Sequence, residues 1–313
     1  MTITSASPQA RPAAGRLNSR RVRRPWVGRA LGWVVMGLVL LVTLFPFYWM
    51  LRTALSSNAA LATNPTSLLP VDASLNGFRR ALGLTTRQES LEQGGFGATI
   101  DFWRYLSNSV VVATVVTVGQ VFFSALAAYA FSRMRWPGRN AVFAVFLAGL
   151  MIPSIFTLLP NFVLIRDLGL LDTLPGIALP TMFMTPFAVF FLRQFFLGVP
   201  FEIEEAAMLD GASRMGTFFR ILLPMAAPAV STLAVLTYMT SWNDYLWPLL
   251  VSQSDRSRVL TLALGVFRSQ APAQAPDWSG LMAATLLAAL PMLLLFAVFA
   301  RRIVNSVGFT GIK

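Results

Sequence analysis

Pro200–Pro224 reads PFEIEEAAMLDGASRMGTFFRILLP and lies between two long apolar stretches, about 174–196 and 222–249. Pro200 suits a helix start, where a missing N–H costs nothing, and Glu202, Glu204 and Glu205 favour the positive end of a helix dipole. The run to Leu209 suits a short helix. Gly211 allows a turn of either backbone sign, and Ser213 can cap a second helix. Met208, Leu209, Met215, Phe218 and Phe219 give this connection a sizeable apolar surface. Two readings follow: the segment docks a soluble partner, or it lies on lipid as an amphipathic helix. The acidic first turn counts against the second, because inner-leaflet surfaces are negative.

Outward from this loop, the chain of 313 residues is 56% hydrophobic and only 12% charged, with a mean hydropathy of +0.64. Soluble domains carry about 25% charged residues. Only a lipid-facing surface makes this balance comfortable. Apolar spans fall at about 27–51, 106–131, 139–163, 174–196, 222–249 and 280–301, each near the ~20 residues that a bilayer core requires. Pro153, Pro160, Pro224 and Pro228 are expected to kink these spans without breaking them, because packed neighbours re-satisfy the freed backbone groups. The expected fold class is all-α, a polytopic membrane bundle of six transmembrane helices.

The organisation follows. Residues 1–26 read as a disordered basic tail, and 27–104 as the first span with a long external segment. Residues 105–303 hold the five-helix core, and 304–313 form a C-terminal tail. The run Arg20, Arg21, Arg23, Arg24 imitates a signal-peptide n-region. The apolar stretch behind it is too long for an h-region and lacks a cleavage site, so it reads as a retained span. A short helix is expected around Asn76–Leu82, and about 250–279 reads as a second external loop. With the N-terminus inside, the inner connections collect that tail, then Arg133, Arg135 and Arg139, then Arg193, Arg214 and Arg220, and finally Arg301, Arg302 and Lys313. Both termini are therefore expected in the cytoplasm. The net charge of +12 would suggest nucleic acid in a soluble protein; here it reads as topology signalling, with no nucleic-acid partner.

The residue inventory excludes much enzymology. The chain has no His and no Cys, which removes their metal sites, thiol nucleophiles and His-based triads. Its one lysine is Lys313, so no Walker A loop exists. No catalytic residue or cofactor site is expected, and any ATP must be bound by another polypeptide.

Asp244 is the one acidic residue inside an expected span, and intramembrane acids are usually functional or paired. On a helix, Thr237, Ser241 and Asp244 share a stripe beside Tyr238, Trp242 and Tyr245. Hydroxyls and a carboxylate next to aromatic faces suit a sugar. The alternative is an interfacial aromatic belt with a polar residue reaching water. Asn243 and Asn108 join Tyr238, Ser241, Trp242 and Asp244 as pathway candidates; Asn243 alternatively serves interhelical contacts, and Asn108 alternatively caps a helix.

The spacing Glu205-Ala206-Ala207, three residues, Gly211, nine residues, Ile221-x-Leu223-Pro224 resembles the EAA loop of binding-protein-dependent ABC importer permeases at every specified position. The resemblance runs from about residue 28 onward. Asn108-Ser109, Ala128-Tyr129-Ala130-Phe131 with Pro137-Gly138, Gly169-Leu170-Leu171 and Trp242-Asn243-Asp244 are similar to the sugar-uptake, maltose-type branch, as is the ending Gly308-Phe309-Thr310-Gly311. The long Arg-rich N-tail and the Gly-rich stretch around Gln93–Gly97 depart from it.

The resemblance implies a six-helix permease, not an enzyme, embedded in membrane lipid and paired with a second, homologous permease. Two copies of a P-loop ATPase, holding ATP and Mg, would dock on the EAA loops, and an external solute-binding protein would deliver the solute. Glu205, Ala206, Ala207, Met208, Leu209 and Gly211 would then form the coupling region. Permeases for amino acids, peptides or glycerophosphate are same-class rivals. An autonomous channel and an intramembrane enzyme are the remote ones.

Overall fold

The computed structural model describes residues 26–97, 100–270 and 276–308, and all their regular structure is helical. The expected N-terminal tail lies outside the described residues except for Trp26. Residues up to Pro46 and residues from Phe47 form two compact units. The first contains most of helix α1 (Trp26–Ala54), which has Pro46 inside it. From Leu31 to Phe45 its large side chains are exposed on every face, as with Trp33 at 70% and Leu41 at 66%. No charge occurs between Arg29 and Arg52. A helix apolar all round belongs in hydrocarbon.

In the second unit, short helices α2 (Asn58–Thr63), α3 (Asn76–Ala81) and α4 (Arg87–Glu92) lead to α5 (Phe102–Arg133). Helix α3 matches the short helix read from the sequence. Then come α6 (Arg139–Ala148), α7 (Ser154–Asp167), α8 (Leu174–Ala178) and α9 (Pro186–Leu197). The loop region holds α10 (Phe201–Leu209) and α11 (Arg214–Thr217), and a π-turn at Phe218–Leu222 leads into α12 (Leu223–Met225). Helices α13 (Ala227–Trp242), α14 (Leu246–Val251), α15 (Leu260–Gln270) and α16 (Trp278–Gly308) complete the chain.

Helix α5 is the spine of this unit. Its first turns, with Phe102, Tyr105 and Ala113, pack with Ala54, Trp242, Phe267 and Ala283. Val112 and Val116 join Ile165, Ile177, Trp247 and Leu262. Its last turns, with Ala125, Ala128 and Tyr129, join Leu192, Phe196, Phe218 and Leu222. Small residues on α5 permit the close approach that membrane helices use in place of hydrophobic drive. At Gly119 a Cβ would stand 2.6 Å from the Met182 carbonyl oxygen, so that position admits only glycine.

Helices α1, α5 and α16 are each long and apolar enough to cross a membrane alone, and bent helix pairs raise the total to as many as six. Three expected spans are not the continuous helices read from the sequence. The 139–163 span breaks before Pro153 and turns through 100°, because proline forces Ile152 out of the α region, to ψ 113°. The expected kink there is a break. Near Pro224 and Pro228 the chain also breaks, at Ala226, with a 78° bend; Pro228 has no N–H to return to residue 224. Pro160 does remain inside a helix.

The 174–196 span separates into α8 and α9 around Pro180 and Pro186. Thr185 caps α9 at Ala188 N, and Gln120 of α5 donates to the same hydroxyl at 3.1 Å. The 222–249 span ends as a helix at Trp242, and residues 243–245 are non-helical before α14. The 250–279 loop is itself partly helical, through α15.

Candidate functional site

Two regions concentrate polar function against this apolar background. The first is the 200–224 loop. Glu204 of α10 is 2% exposed, and its carboxylate lies 2.7 Å from Arg133 Nε at the end of α5. Arg133 Nη2 also donates to the carbonyls of Phe196 and Val199, the latter at 2.6 Å, so it closes the C-terminus of α9. The guanidinium stands 5.7 Å from the Phe201 ring centre. Burial pushes the Glu204 carboxyl above its ordinary value, while the attraction of Arg133 opposes that. One turn back on α5, Tyr129 OH donates to the Arg214 carbonyl at 3.2 Å, which ties α11 to the same helix end.

The rest of the loop faces outward. Glu205, Ala206, Met208, Leu209 and Gly211 are exposed and Ala207 is half-buried. Leu209 is 89% exposed. Helix α10 ends because Gly211 takes φ +87°, a conformation that favours glycine, and Ser213 then accepts from Gly216 N to start α11. This is a short, rigidly footed helix with an apolar knob and a carboxylate, Glu205, on its free side.

The second region lies among the spans. A cavity of about 290 Å³ is walled by Ser109 and Gln120 of α5, Thr181 and Thr185 of the α8–α9 link, and Thr237, Thr240 and Ser241 of α13, with Asp244 beyond. A second, of about 710 Å³, shares Thr181, Thr240 and Asp244 and adds Thr157, Asn161 and Asn243. Asp244 is the one charged side chain on either wall among the described residues. Its backbone carbonyl accepts from the Thr261 hydroxyl at 2.9 Å, which fixes the non-helical link to α15. Such a lining offers many hydroxyl partners to a hydroxylated solute and one acceptor-only group.

The candidates read from sequence do not all meet there. Thr237, Ser241, Asn243 and Asp244 reach the cavities, although Asp244 stands past the helix end and not on a continuous stripe. Tyr238 and Trp242 stack on each other, 6.0 Å apart, with Trp242 in the packed core. Asn108 donates to the carbonyls of Arg256 and Arg258, both at 2.9 Å, and so anchors the 252–259 segment to α5. Sequence reasoning missed the walls supplied by Gln120, Asn161, Thr181 and Thr185. Their only signal was polarity inside apolar runs. It also missed the pairing of Glu204 with Arg133, 71 positions apart in the chain.

Comparison with known proteins agrees with this architecture. Residues 120–308 match the family model described as "Binding-protein-dependent transport system inner membrane component". The chain is 31% identical over 267 residues to the diacetylchitobiose uptake system permease protein of Streptomyces coelicolor, covering 85% of this chain and 83% of the relative. It is 31% identical over 289 residues to the sn-glycerol-3-phosphate transport system permease protein of Brucella abortus, covering 91% and 97%. Among solved structures, a chain of a bacterial ABC transporter that imports the acidic polysaccharide alginate superimposes with a TM-score of 0.74. It covers 88% of this chain and 96% of its own at 22% identity, a likeness of fold.

Proposed function

This chain belongs to the binding-protein-dependent transport system inner membrane components, the permeases of ABC importers, and from that premise we propose that it passes neutral sugars or related polyols through a pathway beside Asp244. As a family member it is a multi-pass inner-membrane subunit that catalyses nothing itself and needs no cofactor. The single observation that carries the sugar reading is the cavity pair lined by threonine and serine hydroxyls with one carboxylate. Sugar hydroxyls donate to a carboxylate and to threonine oxygens, and a low-dielectric surround strengthens both.

A phosphomonoester is the second reading, suggested by the glycerol-3-phosphate relative. Asp244 opposes it, because like charges in a low-dielectric cavity repel.

Transport works by alternating access between two packings. A second, related permease completes the bundle, and two copies of a cytoplasmic P-loop ATPase bind ATP and Mg. One of them docks on Glu205, Ala206, Ala207, Met208 and Leu209, with Gly211 fixing the turn. An extracytoplasmic binding protein supplies the solute, and both termini stay in the cytoplasm. Movement of α10 passes to α5 through the Arg133–Glu204 pair.

The test is radiolabelled sugar uptake by cells carrying the whole transporter. Asp244→Asn is expected to lower uptake about tenfold or more, the worth of one charge-assisted hydrogen bond, and Thr240→Val about fivefold, the worth of a neutral one. Unchanged rate and affinity in both variants would remove the pathway from these cavities.

A further inference from the structure

At the end of the second unit away from α10, where the first turns of α5 pack with Ala54 and Ala283, one buried arginine stands without a counter-charge among the described residues. Arg52 lies two residues from the C-terminus of α1 and is 2% exposed. Its guanidinium stands 5.1 Å from the Trp49 ring centre, and Nη2 donates to the Asn64 carbonyl at 3.2 Å. Its Nε is buried with no hydrogen-bond partner.

The ion pairs among the described residues use Arg80, Arg104, Arg133, Arg166 and Arg258, not Arg52. Asp277, nearby in the fold, is taken on both oxygens by Arg80 and by the Asn58 amide. Residues 1–25, 98–99, 271–275 and 309–313 contain no Asp or Glu that could reach over. A buried charge that no carboxylate within the chain neutralises is costly, so a group from outside is expected to answer it.

Arg52 borders a cavity of about 650 Å³ together with Trp49, Leu61, Pro65, Trp278 and Met282, and no carboxylate lines it. The depth of that cavity identifies the anion. The candidate spans Gly28–Ala54 and Trp278–Phe299 have their ends here, at the level where tryptophan anchors helices among headgroups. Trp278 on its wall is 42% exposed, and Tyr48 and Leu51, the chain neighbours of Trp49 and Arg52, are 42% and 45% exposed, an apolar surface suited to acyl chains. We propose that this cavity seats the phosphodiester of an anionic phospholipid, held by Arg52, with its glycerol region between Trp49 and Trp278. The lipid completes the charge balance of the last turn of α1 and sits beside the start of α16. The site is separate from the solute cavities and does not depend on what they carry.

The complete transporter, purified in detergent and stripped of lipid, would be titrated by native mass spectrometry with dioleoylphosphatidylglycerol. Arg52→Gln is expected to weaken the tightest site about tenfold, and Arg52→Lys to keep most of the affinity. Met282→Trp, which fills the cavity while leaving Arg52 in place, is expected to displace the same lipid, so a folding failure of Arg52→Gln does not shelter the idea. Phosphatidylglycerol bound as in the wild type by both Arg52→Gln and Met282→Trp would overturn it. Displacement of the lipid by millimolar inorganic phosphate would overturn the lipid source and assign a free anion. Loss of the second permease from the Arg52→Gln complex, with lipid stoichiometry unchanged, would assign a carboxylate of that subunit instead.

Discussion

Replacing Arg133 with methionine tests how the 200–224 loop is tied to the bundle. The side chains of Arg133 and Glu204 are 7% and 2% exposed and 2.7 Å apart. Removing the arginine orphans a buried carboxylate and leaves the carbonyls of Phe196 and Val199 without their donor. Breaking a buried pair from one side costs about 3–5 kcal/mol. The carboxyl limits its own share by taking up a proton, toward which burial already biases it; the lost carbonyl bonds add about 1 kcal/mol each.

Glu204→Gln removes less. The arginine keeps both carbonyls and the Phe201 ring, and only the charge attraction to residue 204 is lost, so about 1–2 kcal/mol is expected. The double variant Arg133→Met with Glu204→Leu exchanges the pair for apolar volume, a swap often neutral in itself, but it still leaves the carbonyls of Phe196 and Val199 without a donor, about 1 kcal/mol each. The expected order of stability is wild type, then Glu204→Gln and the double variant together, then Arg133→Met. Thermal unfolding of the reconstituted transporter reads that order, and transport per ATP hydrolysed reads coupling. In the double variant stability should return in part, short of the wild type by the two lost carbonyl bonds, while coupling stays low, because the charged pair is gone. If Arg133→Met proved no less stable than Glu204→Gln, the assignment of this pair as the tie between α5 and α10 would be wrong.

Other outcomes follow from single features. At Gly211 an added Cβ would meet nothing within 4 Å, but φ is +87°, so conformation and not space excludes side chains; Gly211→Ala and Gly211→Leu should each cost about 1 kcal/mol and uncouple hydrolysis from uptake alike, with Gly211→Asn milder. Equal coupling in Gly211→Leu and the wild type would defeat that reading. Asp172 in the α7–α8 loop is held well below the usual carboxylate range by hydrogen bonds from Ser254 and Ser257 and by the amides of Gln253 and Ser254. Because its folded pKa is depressed, its stabilisation is complete above about pH 4, the unfolded value, and declines as pH falls below that. Hydrogen exchange of residues 252–259 should stay slow from pH 7 to 5 in the wild type and be faster at all those values in Asp172→Asn. The asparagine tolerates the same φ of +58°, so equal protection in the variant would show that the charge is idle.

Helix content, the apolar spans and the EAA spacing were legible because each is written locally: hydrophobic runs of bilayer length, a proline, an acidic first turn, a glycine at a fixed offset. The same local reading placed Asp244 on a continuous helix, which the chain does not form beyond Trp242. Proline chemistry marked where spans could weaken. Whether a proline bends a helix, as Pro160 inside α7, or breaks it, as Pro153, depends on which neighbours can satisfy the released carbonyls. No local pattern encodes those neighbours.

Sequence by itself therefore determined that this chain lies in a membrane, is helical, carries no catalytic apparatus and has the loop spacing of one family. Tertiary structure decided which polar residues meet. It took Glu204 inward to Arg133 and left Glu205 free, although they are adjacent. It brought Thr181 and Thr185 onto one cavity wall with Asp244, withdrew Trp242 into the core, and left Arg52 buried with no carboxylate partner among the described residues. The physical reason is the range of the forces. Propensity and hydrophobic periodicity act over a few residues, whereas a buried charge or hydroxyl is answered by whatever group packing brings within about 3 Å.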